Sequence, residues 1–262
     1  MLIIIIVIVI IIIIIGIIFI RYSKRLKTSN KFSILENKEF IEDGFVHLSN
    51  FIAKDDFEIL KKITMDNKDN SKYISEDYNN PYIENKKRKK IVAFYDTKNN
   101  DLDYVYGRNP EYTKIIDKIL FNLEIDKTNL IFIYLLVIKP GAPEQEVHFD
   151  GLKELPNKDM TGYIKQMFIG IPLHYTPIEQ GTTILYSNKI NKELDDEYLI
   201  TRNKGYFNDF SPELQEIYKK YRNQKEHQER DLIVWDNYTQ HSGGENKSSQ
   251  NRYFILISLK KN

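Results

Sequence analysis

Glu146-Val147-His148-Phe149-Asp150, closed by Gly151, is the stretch on which the reading of this chain turns. On an extended backbone successive side chains alternate, so His148 and Asp150 face one way and Phe149 the other. One imidazole and one carboxylate aimed at a common point make two thirds of the facial 2-His-1-carboxylate set. That set holds non-haem Fe(II) with coordination positions left open. The third ligand is then expected to be a His arriving from a distant strand. Trp235-Asp236-Asn237-Tyr238-Thr239-Gln240-His241 supplies one, and Arg252 follows eleven residues later.

Working outward, Lys139-Pro140-Gly141 breaks the chain just before His148 and turns it toward the motif. Upstream, 130–138 is almost wholly apolar and reads as a strand buried on both faces. Downstream, 164–173 and 182–186 read as strands joined by a turn at Glu179-Gln180-Gly181, and 231–235 and 252–259 as two more. Many strands punctuated by turns predict a mainly β fold, a double-stranded β-helix or jelly-roll barrel that closes on itself. Supporting helices belong to the first half. Asp55 or Asp56 caps one with Phe57, Leu60 and Ile63 on one side; Asn109-Pro110 opens another bearing Tyr112, Ile115, Ile116 and Ile119. A turn at Asp43-Gly44 leads into a short strand, 91–95 reads as another, and 66–90 reads as loop. The loop's basic end, Lys86-Lys87-Arg88-Lys89-Lys90, reads as a solvated surface. A charged, Tyr-rich insertion at 188–230 has the character of a lid. Within it Ser211-Pro212 starts a helix with Leu214, Ile217, Tyr218 and Tyr221 as a packing stripe.

The N-terminus is a different material. Residues 2–20 carry no charged or hydrogen-bonding side chain, and as a helix they would span roughly 28 Å, close to a bilayer's hydrocarbon core. No basic residue precedes the run and no small-x-small exit follows it, so a retained transmembrane anchor is expected rather than a signal peptide. Arg21, Lys24, Arg25 and Lys27 flank it, which by the positive-inside tendency predicts a cytoplasmic catalytic domain at 38–262 after a basic, polar linker at 21–37. The chain's net charge is +1, so these four cations leave 28–262 at −3, and no nucleic-acid partner is expected. The absence of cysteine excludes disulfides, thiolate metal sites and a thiol nucleophile.

Four separated segments together resemble one family, the phytanoyl-CoA dioxygenase family of Fe(II)- and 2-oxoglutarate-dependent oxygenases. They are Glu42-Asp43-Gly44-Phe45-Val46, Lys139-Pro140-Gly141 leading to His148-Phe149-Asp150, Glu179-Gln180-Gly181-Thr182, and His241-Ser242-Gly243-Gly244-Glu245-Asn246 with Arg252. The resemblance covers roughly 38–260. It implies that His148, Asp150 and His241 are the catalytic iron ligands and that Arg252 pairs with the distal carboxylate of 2-oxoglutarate. It also implies that O2 is consumed, that succinate and CO2 are released, and that a small-molecule or lipid-like substrate is hydroxylated near a membrane held by 2–20. The chain departs from the family at Phe149, where Gln is frequent, in lacking Trp near 166–168, and at Gly243, where a small polar residue is usual. Ser242 is the expected substitute for the last, as a co-substrate contact.

Of the five histidines, His47, His174 and His227 match nothing in this pattern and read as packing or surface residues. Two other classes stay open: a catalytically silent, membrane-anchored barrel serving as a binding module, and a cupin-like metal hydrolase or isomerase. The second would not need Arg252.

Overall fold

The computed structural model describes residues 31–69, 89–97, 104–150, 166–194 and 206–260. The expected anchor at 2–20, its basic flank, the cations Lys86, Lys87 and Arg88 and the stretch 195–205 of the insertion lie outside the described residues. Among the described residues no helix is long and apolar enough to cross a membrane.

The fold is mainly β. In chain order the main elements are α1 (Lys38–Asp43), β1 (Phe45–Leu48), α2 (Lys54–Asn67), β2 (Lys89–Asp96), α3 (Pro110–Asn122), β3 (Leu130–Ile138), β4 (Gln166–Pro172), β5 (Thr183–Tyr186), α4 (Pro212–Tyr221), β6 (Arg222–Gln224), β7 (Leu232–Asp236), β8 (His241–Gly243) and β9 (Arg252–Lys260). They form a six-stranded sheet of order β1-β7-β4-β9-β3-β2 and a three-stranded sheet of order β6-β5-β8, antiparallel throughout.

Strand alternation sorts the core into layers. One face of the large sheet presents Val46, Ile133, Leu135, Val137, Met167, Ile169, Ile171, Leu232, Val234, Ile255, Ile257 and Leu259, all buried against Phe57 and Leu60 of α2 and Tyr112, Ile115, Ile116, Ile119 and Leu120 of α3. The intervening residues Phe45, Phe168, Ile233, Trp235 and Phe254 point the opposite way and pack on Leu185 of the small sheet. Ile184 and Tyr186, on the far face of β5, pack with Val147, Ile190, Leu194 and Tyr218 of α4. The order of layers is therefore helices, large sheet, small sheet, α4. Gly170 permits the inner packing: a Cβ there would lie 2.0 Å from Phe254 Cζ, so the Phe254 ring rests directly on the β4 backbone.

Several elements were expected where they lie. β3 spans the predicted apolar run, and Asn109 caps α3 by accepting from the backbone N–H groups of Glu111 and Tyr112. Others differ. α2 starts at Lys54 with Ala53 as its cap, which puts Asp55 and Asp56 inside the first turn, where carboxylates favour the helix dipole. α1 occupies a segment read only as the approach to a turn; Asn37 caps it and Gly44, at φ 81°, ends it. β2 begins at Lys89, within the expected loop. β6 is polar and lies inside the 188–230 insertion, whose backbone it joins to β5.

Candidate metal centre

His148 is placed by pairing with β8. Its backbone N–H donates to the His241 carbonyl and the His241 N–H donates back, each at 2.9 Å, so the two ligand residues are directly opposed across an antiparallel bridge. The same ladder continues from the Gln145 N–H to the Gly243 carbonyl and from the Asn246 N–H to the Ala142 carbonyl. Buried Asn246 secures the turn by donating from Nδ2 to the carbonyls of Ile138 and Gln250. Phe149 is buried, and its neighbours His148 and Asp150 share the other side of the chain, as the period of two requires.

The three side chains converge. Asp150 Oδ2 lies 3.2 Å from His241 Nε2, Asp150 Oδ1 lies 3.8 Å from His148 Nε2, and the three ligand atoms all fall within 4.8 Å of one another. His148 Nδ1 contacts the Glu146 carbonyl at 2.7 Å, and His241 Nδ1 contacts the Thr239 carbonyl at 3.0 Å. A carbonyl can only accept, so both Nδ1 atoms carry the proton and both Nε2 lone pairs turn toward the carboxylate. Two lone pairs and an anion facing each other call for a cation between them. Adjacent ligands on a metal with bonds of about 2.0–2.2 Å stand about 3 Å apart, so the donor set fits a divalent transition metal after small rotamer adjustments. The His241 side chain is buried, whereas His148 and Asp150 remain 24% and 27% exposed, which leaves one side of the centre open.

Arg252 enters the same interior. It shares the parity of Phe254 on β9, so its side chain points between the sheets, and its guanidinium carbon sits 5.9 Å from the Phe254 ring centre. It is buried, and neither Nε nor Nη1 has a hydrogen-bond partner among the described residues. Burial lowers its pKa to about 10, which still leaves it charged near neutrality. A buried, unmatched guanidinium is costly unless an anion joins it. A cluster able to hold a metal ion and a buried guanidinium with no printed hydrogen-bond partner among the described residues thus both turn toward the space between the two sheets.

Ser242 is a correction. It pairs with Ile184, and both face the α4 side of the small sheet, whereas the next pair, His241 and Leu185, faces the interior. Alternation therefore turns the Ser242 hydroxyl away from the metal centre. Gly243 takes the inward parity instead, and a Cβ there would meet Gln145 Oε1 at 2.5 Å.

His227, expected to be a packing or surface residue, is buried. It is 1% exposed, its Nε2 accepts from the Thr183 backbone N–H at 3.2 Å, and its ring lies 6.3 Å from that of Phe254. No local motif marks it, because its partners are distant in sequence. His47 lies 6.1 Å from it, ring to ring, and His174 Nε2 accepts from the Tyr253 N–H.

No protein-family model and no curated protein matches the chain in sequence. Solved structures do match its fold. The epimerase SnoN, in complex with Fe3+, alpha-ketoglutarate and nogalamycin RO, aligns at a TM-score of 0.54 and 11% identity over 85% of this chain and 81% of that one. The non-heme, alpha-ketoglutarate-dependent carbocyclase SnoK of nogalamycin biosynthesis aligns at 0.52 and 15%, over 87% and 86%. HygX from Streptomyces hygroscopicus, with nickel, 2-oxoglutarate and hygromycin B bound, aligns at 0.55 and 11%, over 86% and 88%. At these identities the likeness is one of fold.

Proposed function

We propose that this chain is an Fe(II)- and 2-oxoglutarate-dependent oxygenase on a jelly-roll barrel, of the phytanoyl-CoA dioxygenase-like kind. The observation that carries the reading is the pairing of two features in one interior: the His148–Asp150–His241 cluster and the buried guanidinium of Arg252, whose Nε and Nη1 have no hydrogen-bond partner among the described residues. A plain metal hydrolase or isomerase accounts for the first and leaves the second an uncompensated charge. Fold neighbours described with iron or nickel and 2-oxoglutarate support the same choice.

The roles follow from the side chains. His148, Asp150 and His241 would hold the metal, and the carbonyls of Glu146 and Thr239 fix both rings in the ligating tautomer. Arg252 binds the far carboxylate of the co-substrate, a planar fork matched to a planar anion. Phe168, Trp235, Phe254 and Leu185 wall the space and exclude water. Iron and 2-oxoglutarate, once bound, supply the oxidising chemistry, with O2 consumed and succinate and CO2 released. Substrate approaches by the open side at His148 and Asp150.

Hydroxylation of a small-molecule or lipid-like substrate is the proposed outcome. The small-molecule side is supported by nogalamycin RO and hygromycin B in the fold neighbours, the lipid side by the apolar run at 2–20. With that run as an anchor and Arg21, Lys24, Arg25 and Lys27 behind it, the catalytic domain faces the cytoplasm. The test is succinate release by the full chain in detergent, supplied with Fe(II), 2-oxoglutarate and O2 against a panel of candidate substrates. Product analysis distinguishes hydroxylation from epimerisation or ring closure. Absence of 2-oxoglutarate binding to the Fe(II)-loaded chain overturns the reading.

A further inference from the structure

Each imidazole of the metal centre is oriented by a carbonyl two residues back, and the two carbonyls become available for that task by different means. His241 Nδ1 meets the carbonyl of Thr239, which lies in the bend before β8. His148 Nδ1 meets that of Glu146, which lies inside the segment paired with β8. In a regular antiparallel ladder the residue two before His148 faces the residue two after His241, and each carbonyl accepts from the other's N–H. Glu146 would then serve the Gly243 N–H. Ladder carbonyls lie in the sheet and side chains stand out of it, so one carbonyl is badly placed to serve both.

The structure gives Gly243 another partner. Its N–H donates to Gln145 Oε1 at 3.0 Å, while its carbonyl accepts from the Gln145 backbone N–H at 2.8 Å. The register has slipped by one residue, as in a bulge, and the side-chain amide of Gln145 fills the acceptor position that the Glu146 carbonyl leaves. Glycine at 243 makes room for it, since a Cβ there would lie 2.5 Å from that same Oε1. We infer that Gln145 is a positioning residue for the metal centre. By standing in for Glu146 in the ladder, its side chain lets the Glu146 carbonyl hold His148 Nδ1–H, which turns Nε2 toward Asp150. The inference rests on the reading of His148 as a metal ligand and assigns the residue that keeps it in place. A carbonyl that accepts from a ligating imidazole fixes its orientation and raises its basicity, and losing such a partner weakens metal binding about 10–100-fold.

The test reads the two imidazoles separately. Full-length chain in detergent, labelled with 15N-histidine, is loaded with Zn(II), and both Nδ1–H signals are followed by NMR, that of His241 identified by contacts to the Trp235 ring. In Gln145→Leu the Gly243 N–H should recover the Glu146 carbonyl. The His148 Nδ1–H should then move upfield and exchange faster with water, while that of His241, held by Thr239, stays in place. Zn(II) affinity should fall about ten-fold or more. Gln145→Glu keeps an acceptor atom and should keep the wild-type His148 signal. Gly243→Ala should act as Gln145→Leu does, because its methyl displaces only the end of a flexible side chain, and it decides should the Leu variant not fold. Movement of both signals alike, or of neither, would mean that Gln145 acts through packing alone, which would overturn the inference while sparing the metal reading. Failure of the wild-type His148 signal to respond to Zn(II) would overturn both.

Discussion

The two faces of the six-stranded sheet come from the same strands and are composed on different terms. Toward the helices, β9 presents Ile255, Ile257 and Leu259, and its neighbours answer with Ile133, Leu135, Ile169 and Ile171. Toward the small sheet, the alternate positions of β9 are Arg252, Phe254, Leu256 and Ser258. On that side Arg252 Nε and Nη1, Ser258 Oγ, Trp235 Nε1 and His47 Nε2 are buried without hydrogen-bond partners among the described residues. A buried polar atom left unpaired costs about 1–3 kcal/mol, so the inner face is held in place by the outer one.

The comparison breaks most visibly at the metal centre. His148→Ala, Asp150→Ala and His241→Ala should each abolish tight Fe(II) binding, read by metal analysis after desalting. The melting temperature of the metal-free chain should move by no more than about 4 °C for the partly exposed His148 and Asp150, and by more for His241, whose buried ring lies 5.6 Å from that of Trp235. A ligand variant that keeps wild-type iron affinity would remove that residue from the site.

The outer face predicts the reverse. Ile257 is fully buried between Ile133 and Ile169, and Ile257→Ala should lower unfolding free energy by about 2–5 kcal/mol in urea. Fe(II) affinity of the folded chain should not change. Altered metal affinity would mean that the two faces are coupled rather than separate.

Arg252→Met sharpens the contrast further. Replacing a buried, unmatched charge by an apolar side chain should stabilise the ligand-free chain by about 1–4 kcal/mol. The same change should weaken 2-oxoglutarate by roughly 30-fold or more, since one half of a buried charge-assisted pair is lost. Arg252→Lys should recover part of the affinity, because charge survives and the fork does not. Urea melts and co-substrate titration check both arms; loss of stability in the Met variant would mean that Arg252 has a structural partner.

The outer face was also the more legible one. Apolar runs such as 130–138 and the helical spacing from Tyr112 to Ile119 carry their own periodicity, so β3 and α3 could be read directly. The convergence of His148, Asp150 and His241 was legible because the first two share one strand segment and the family resemblance pointed to the third by its interval before Arg252. The remainder depended on contacts that no local pattern encodes. β6 is Arg222-Asn223-Gln224, polar throughout, and is a strand only because β5 pairs with it. His227 has its hydrogen-bond partner forty-four residues away. Ser242 was assigned by analogy of residue type, and its register with Ile184 turns it to the wrong face. Sequence reading followed periodicity well and side-chain direction across paired strands poorly.

The smallest expected effect tests whether the inner face stays as dry as its packing implies. His47 is held at a pKa of about 4, first by burial and then by Lys225; His227 is held at about 3, first by burial and then by the charges of Arg252 and His47, against a backbone hydrogen bond at Glu226 that raises it. In the unfolded chain both titrate near 6.5. Below that value the unfolded state takes up protons that the folded state refuses, so stability is fully present above about pH 6.5 and falls as the pH drops toward the folded values. At pH 5 the His47 share is about 2 kcal/mol, from about 1.4 kcal/mol per pH unit. His47→Phe keeps the ring volume against Phe45 and removes this proton linkage. Comparing urea midpoints at pH 7.5 and 5.0, the variant should lose less stability than wild type on acidification, by about that amount. Carboxylates elsewhere titrate equally in both proteins and cancel from the difference. Equal losses would mean that water reaches His47 in solution, and the inner face would then be a hydrated channel rather than a sealed wall.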